Sequence, residues 1–433
     1  MSALRRLVAI GVAVLVVVGV AVVAVTLADE PELGGPAGSP SVAATPSVEP
    51  TAQPSPDPSA PDDDEILAAL REIEQQVIAI RGLPAADIGP PDVITRAELG
   101  EELQRIFDED YPPEDRERDT ITLRALGLLG PDQDIAELQL QLLGDQVLGF
   151  YDDVDQRMVI VSDSGLDAEA RMTYAHEYTH ALQDAAFDFD SLETDADGED
   201  DRGLARTALI EGDASVTMLA WAFANLTPEE LMEVGLGAQV PDLTGIPGWM
   251  VAQLEFPYTD GLNWASVLVG NPLDPDFGLI DAAFAEPPDS TEQIIDIDKW
   301  DPRDDPAVIE AVDLAAALGE GWQDVDATPI GQAMIGMILE FHGVAPAIAL
   351  DAGAGWGGDR ATVASGPDGA FAVAWRLTWD TPADGPEFVA AYDAIVDGLG
   401  FPASVVELAD GDTLVVHASS DDLLRRARAA ADG

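Results

Sequence analysis

The stretch TYAHEYTHALQD, residues 173–184, contains two of the chain's four histidines, His176 and His180, with Glu177 between them. On an α-helix, residues i and i+4 stand one above the other, so both imidazoles address the same point. Neutral imidazole nitrogen is a zinc ligand. A tetrahedral ion needs at least one more protein ligand and, for catalysis, one position open to water. Glu177 lies one step round the helix, where its carboxylate can reach that water rather than the ion. This is the HExxH arrangement. The competing reading is two polar residues on an ordinary helix.

A third ligand has to come from elsewhere. Three residues past His180 stands Gln183, and Ala186 occupies the place of the third histidine in the longer HExxHxxGxxH pattern. Downstream, RTALIEGDASVTMLAWAF (206–223) carries Glu211 among Leu209, Ile210, Ala214, Met218 and Leu219. A carboxylate in such surroundings is costly unless it is paired or metal-bound. The small neighbours Gly212, Ala214 and Ser215 would let this helix approach the histidine helix. Two alternatives stay open: Glu211 forms a salt bridge to Arg206 or Arg202, or Asp184, on the histidine face, is the rival ligand or a residue that orients a histidine. Zinc is the expected cofactor. DADGED (195–200) is dense in oxygens and could chelate calcium, but it lacks the spacing of a calcium loop and reads better as a solvated acidic turn.

The elements that must position these residues follow from periodicity. Leu67, Leu70, Ile73 and Val77 recur at helical spacing after Asp62, and TRAELGEELQRIFDEDY opens with a Thr95 cap. ITLRALGLLG and DIAELQLQLL read as a further helical pair. VLGFY and MVIVS flank the polar DDVDQR, a hairpin immediately before the histidine helix expected over 167–184. A long helix is expected over 204–225, another from Thr227, and others near 307–319, 329–343 and 386–398, with strands in FAVAWRLTW and DTLVVHAS. GWGGDR (355–360) reads as a tight turn around a packed Trp356, and STEQ as a helix start capped by Ser290 or Thr291.

The bulk composition limits the partners. Among 433 residues, 82 Asp and Glu face 20 Lys and Arg, a formal net charge of −62, and Lys299 is the only lysine. Such a surface repels nucleic acid. There is no cysteine, so disulfides and thiol chemistry are excluded. Residues 7–28 carry no charge, enough to span a bilayer core of roughly 30 Å as a helix. Arg5 and Arg6 before this run and Asp29, Glu30 and Glu32 after it put the N-terminus in the cytoplasm and the body outside. A cleaved signal peptide is the competing reading. The organisation expected is a cytoplasmic N-terminus and transmembrane anchor (1–28), a Pro/Ser/Ala-rich linker (29–61), an N-terminal helical region (62–143), a core carrying the histidines (144–300), and a C-terminal helical region with strands packed on that core (301–433). The lipid bilayer is a partner through the anchor, and oligomeric state is not legible.

HEYTHALQD followed by ALIEGDAS resembles the gluzincin, or thermolysin-type, zinc metallopeptidases. The chain is more closely similar to largely uncharacterised, membrane-anchored or exported actinobacterial proteins with a zincin domain. The likeness continues through GFYDDVDQRMVIV, FPYTDGLNW, PPDSTEQIIDIDKW and GWGGDR, and covers most of residues 95–390. It implies His176, His180 and Glu211 as ligands and Glu177 as general base. The sequence departs from that pattern in two places: Ser215 stands where thermolysin-like enzymes have an aspartate, and Asp296 where the group often has a histidine. The fold expected is α+β and predominantly helical: a zincin-like metallopeptidase domain with a small β-hairpin or sheet before the HExxH helix, preceded by a single N-terminal transmembrane helix. The reaction expected is hydrolysis of a peptide or protein substrate, with Tyr258 or His342 as donor to the tetrahedral intermediate and the hairpin pairing with extended substrate. The alternative is a catalytically inactive zincin-like extracellular binding or envelope structural protein.

Overall fold

The structure is a computed structural model that describes residues 63–144, 147, 149–161, 165–194, 196, 198–237 and 243–432. The expected anchor at 7–28 and the tether at 29–61 lie outside these residues. Among the described residues no helix is long and apolar enough to cross a membrane. The expected fold class is corrected accordingly: the described fold is α+β, with sixteen α-helices and two sheets and no membrane helix among them.

The first helix, α1 (Asp63–Arg81), buries Leu70, Ile73 and Val77. After strand β1 (Asp92–Ile94), Thr95 and Glu98 form a reciprocal capping box that starts α2 (Arg96–Asp110). Each side chain satisfies an N–H that the first helical turn leaves free. Helices α3 (Pro113–Ala125) and α4 (Ile135–Gly144) follow. Strands β2 (Gly149–Asp152) and β3 (Arg157–Val161) pair antiparallel as the hairpin expected, while β1 adds to β3 in parallel, giving the order β1-β3-β2. β1 escapes a sequence reading because three residues carry no period.

Helix α5 (Ala168–Phe187) holds the histidines, and Asp167 caps it by accepting from the Ala170 N–H at 2.9 Å. From Met172 to Gln183 it is buried on every face, packed by α1, by β2 and β3, and by α6 (Asp200–Asn225). α1 ties to both long helices: Tyr174 donates to Glu74 at 2.7 Å, and Trp221 Nε1 donates to Gln76 at 2.8 Å. Next come α7 (Pro228–Gly237) and α8 (Gly248–Val269), the latter lying against α6. That approach depends on glycine. A Cβ on Gly212 would stand 2.3 Å from the Gly261 carbonyl, and one on Gly261 would stand 2.3 Å from the carbonyl of Ala208. Gly212 therefore faces α8, not the histidine helix that its position beside Glu211 suggests.

Short helices α9 (Gly278–Ala285), α10 (Thr291–Ile295), α11 (Ile297–Trp300) and α12 (Leu314–Leu318) lead to the C-terminal part. Ser290 caps α10, accepting from the Gln293 N–H. The helix expected over 307–319 reduces to α12. Beyond it the expected helical region is built on an antiparallel sheet of β4 (Gln323–Thr328), β5 (Trp356–Ser365), β6 (Phe371–Trp379), β7 (Ala403–Glu407) and β8 (Thr413–Ala418), in the order β4-β5-β6-β8-β7. GWGGDR opens β5 instead of forming a turn. Helices α13 (Gly331–Phe341), α14 (Pro346–Gly353), α15 (Asp384–Val396) and α16 (Asp421–Ala431) complete the chain. Along β6, Val373, Trp375 and Leu377 join the main core, while Ala372 and Ala374 pack with Ala427 and Ala431 of α16. That alternation is the period-2 signature of a sheet covered on both faces.

Candidate metal centre

His176 and His180 project from α5 toward Glu211 of α6, and the three side chains are 2 %, 3 % and 0 % exposed. His176 Nε2 lies 3.1 Å from Glu211 Oε2, His180 Nε2 lies 3.4 Å from the same oxygen, and the two Nε2 atoms are 3.1 Å apart. Ligands about 2.0–2.1 Å from a tetrahedral ion stand about 3.4 Å from one another, so this triangle fits such an ion. Glu211 Oε1 and His176 Nδ1 are buried without a hydrogen-bond partner, the state expected of groups that answer to an ion or a water. The three residues form a buried group that could hold a metal ion, the only such group among the described residues.

The alternatives for Glu211 fall to their own partners. Arg206 donates to Asp289 at 2.8 Å and to the Leu192 carbonyl at 2.7 Å, and Arg202 lies 3.9 Å from Glu193 and Glu199. Asp184 accepts from the Tyr151 hydroxyl at 2.9 Å and the Phe189 N–H at 3.1 Å, so it neither joins the group nor orients a histidine. That second task belongs to Gln183, whose Oε1 is 2.9 Å from His180 Nδ1.

Burial sets the electrostatics. It pulls His176 below the ordinary imidazole range. It works against a charged His180 too, but the Glu211 carboxylate outweighs it and lifts His180 to about 9. Glu211 is drawn down to about 2 by the imidazoles against its own burial. Glu177 is pushed up to about 8 by burial, although its Oε2 accepts the Tyr151 backbone N–H at 3.0 Å. Two neighbouring carboxyl groups in one dry site are thus driven apart, one toward base and one toward permanent charge.

Tyr258 reaches the site from α8. Its ring centroid is 6.2 Å from that of His176, and its phenol lies beside the Glu211 carboxylate. Burial holds that phenol well above its usual range, so it stays protonated. His342 packs on Phe341 and beside Gly127, apart from this group. Asp195 and Asp197 of the calcium alternative lie outside the described residues, and Glu199 lies 3.4 Å from Arg360. Sequence reasoning missed Gln183, Asp213, Arg81 and Tyr151. Only Gln183 left a signal, three residues past His180 and so on its face of the helix.

Fold and site together define an α+β protein with a buried two-histidine, one-glutamate centre that could hold a metal. Residues 318–431 match a family described as Domain of unknown function (DUF8575). That segment runs from the end of α12 through the five-stranded sheet to α16 and contains none of the residues of the centre. No curated protein matches the chain, and no solved structure does.

Proposed function

We propose that the chain is a zinc-dependent peptidase in which His176, His180 and Glu211 hold the ion and Glu177 is the general base. The observation that carries this is the ligand triangle of 3.1–3.4 Å edges on α5 and α6, with a raised carboxyl group on the residue following the first ligand. A zinc ion bound there supplies a Lewis acid for a carbonyl and makes water a nucleophile near neutral pH. Glu177, with its proton affinity raised by burial, takes up a proton from the attacking water and returns it to the leaving amine. The protonated Tyr258 hydroxyl is a fixed donor for charge developing on the carbonyl oxygen. β2 is the edge of its sheet, and an edge strand beside the site favours an extended peptide as substrate.

Digestion of a diverse peptide library by the full-length protein, at low and high salt, tests the reading. Cleavage should vanish in the E177Q protein and after chelation. Cleavage that survives both would rule out this mechanism.

One observation favours a second reading. His176, Glu177, His180, Glu211 and Tyr258 are each 3 % exposed or less, the closed environment of a structural ion. In that case chelation lowers the melting temperature of a protein that cleaves nothing under any condition.

A further inference from the structure

His180 is oriented from outside the group that meets the ion. The Gln183 amide whose oxygen faces His180 Nδ1 also donates through Nε2, to Asp213 Oδ2 at 2.8 Å and to the Ile210 backbone carbonyl at 3.0 Å. A backbone carbonyl only accepts, so the NH2 end of this amide must face Ile210 and the oxygen must face His180. An oxygen against Nδ1 requires that Nδ1 carry the proton. In the neutral form that binds a metal, the ring then keeps its lone pair on Nε2, the atom that stands 3.1 Å from His176 Nε2.

The chain of contacts continues away from the site. Arg81, the last residue of α1, places Nε 2.8 and 3.0 Å from the two oxygens of Asp213 and donates through Nη2 to Asp281 of α9 at 2.7 Å. Its guanidinium lies 4.5 Å from the Phe277 ring centroid. The Arg81 and Asp213 side chains are both 0 % exposed. Asp213 is thereby held in one orientation, with Oδ2 toward Gln183. His176 has no counterpart, since its Nδ1 lacks a hydrogen-bond partner.

We infer that Arg81 is a positioning residue for the metal centre: through Asp213 and Gln183 it holds His180 in the tautomer that offers Nε2 to the ion. This rests on the reading that His180 is a metal ligand. It makes α1 a working part of the centre rather than a cover that could be stripped away. Asymmetry follows as well, because the protein holds His180 at Nδ1 and leaves His176 Nδ1 without a partner.

The test uses the full-length protein with Co2+ as a spectroscopic probe and Zn2+ competition against a chelator. Removing the partner of a ligating histidine costs about 10–100-fold in metal affinity. Q183M should show that loss and an altered Co2+ visible spectrum, while circular dichroism and a cooperative thermal transition report an intact fold. D213N should shift both readouts in the same direction. R81K, which keeps the charge without the fork, should lose less than R81M. R105M, at a surface arginine paired with Glu102 and Glu109, should change nothing. A folded Q183M or D213N with wild-type affinity and spectrum would overturn the inference while leaving the metal reading intact. If Q183M does not fold, D213N and R81K decide the matter by the same criteria. Failure of the wild-type protein to bind Co2+ or Zn2+ would remove the metal reading itself, and the relay with it.

Discussion

Glu177 and Tyr151 are joined side chain to backbone, Glu177 Oε2 accepting the Tyr151 N–H at 3.0 Å. The hydroxyl of the same tyrosine donates to Asp184 at 2.9 Å. One residue of β2 therefore grips α5 at two carboxylates two turns apart. The Tyr151 N–H turns toward Glu177 and away from β3, so it occupies the edge along which an extended peptide would pair. The proposed base and the proposed substrate address the same donor.

Glu177→Gln should separate chemistry from architecture. Glutamine still accepts from Tyr151 but cannot take a proton from water. Turnover should fall by at least about 10²-fold, with metal content by elemental analysis and thermal stability unchanged. Loss of metal together with activity would show that Glu177 is a ligand and not a base.

Glu211→Gln and Asp184→Asn form a contrasting pair. The first removes a ligand and should weaken Zn2+ by about 10²-fold or more, at or beyond the upper end of what is lost with a ligand's neighbour. The second should leave Zn2+ affinity within a few-fold of wild type, because the Asp184 carboxylate bonds to Tyr151 and Phe189 and to no histidine. Competition titration decides, and the opposite ranking would transfer the third ligand to α5.

Gly212→Ala drives a methyl group into the Gly261 carbonyl across the α6–α8 contact. Denaturant unfolding should show a loss of about 3 kcal/mol. Gly100, on the exposed face of α2, has nothing within 4 Å of an added Cβ, and its alanine variant should gain about 0.5–1 kcal/mol. Equal effects at the two sites would mean that the crossing is looser than described.

His417 gives the protein a defined acid sensitivity. Burial pushes its imidazole down to about 4 from an ordinary 6.5, while Nδ1 donates to the Ala125 carbonyl at 2.8 Å and Nε2 accepts from Tyr392 at 2.9 Å. The folded state thus binds fewer protons than the unfolded one between these values. The contribution is complete above about pH 6.5 and is lost as pH falls toward 4, a total of about 3 kcal/mol. H417Q, which can keep both hydrogen bonds and does not titrate, should flatten that part of the stability profile. An unchanged profile would assign the acid limb to other groups.

What the sequence reveals and what it hides divide along contact range. The i, i+4 histidines, the intervening Glu177, the Thr95 capping box and the β2–β3 hairpin are local patterns, each readable within a few residues. Glu211 is legible because a carboxylate among Leu209, Ile210 and Met218 needs a reason to be there. The Arg81–Asp213 pair is not, since its members lie 132 residues apart and nothing in ALIEGDAS points from Asp213 to an arginine so far upstream. β5 is hidden by the glycines of GWGGDR, which read as a turn, although Trp356 is indeed packed, at 1 % exposure. Gly212 signals a close approach but, read from the sequence, points to the wrong neighbour, because a helix offers small residues to every side and only the assembled fold selects one.

The hydrogen bond from His417 to Ala125 also bears on modularity. Residues 318–431 recur as a sequence unit, yet α3 of the N-terminal part packs on β4, β5 and β6, and His417 finds its carbonyl 292 residues upstream. Excised at those limits, the segment would expose the face that α3 covers and give up the His417–Ala125 hydrogen bond, at about 0.5–1.5 kcal/mol for that bond alone. A chain with such a segment and an imidazole at the position of His417 needs an acceptor at the same spot. The limits of the matched segment and the limits of its packing lie at different residues.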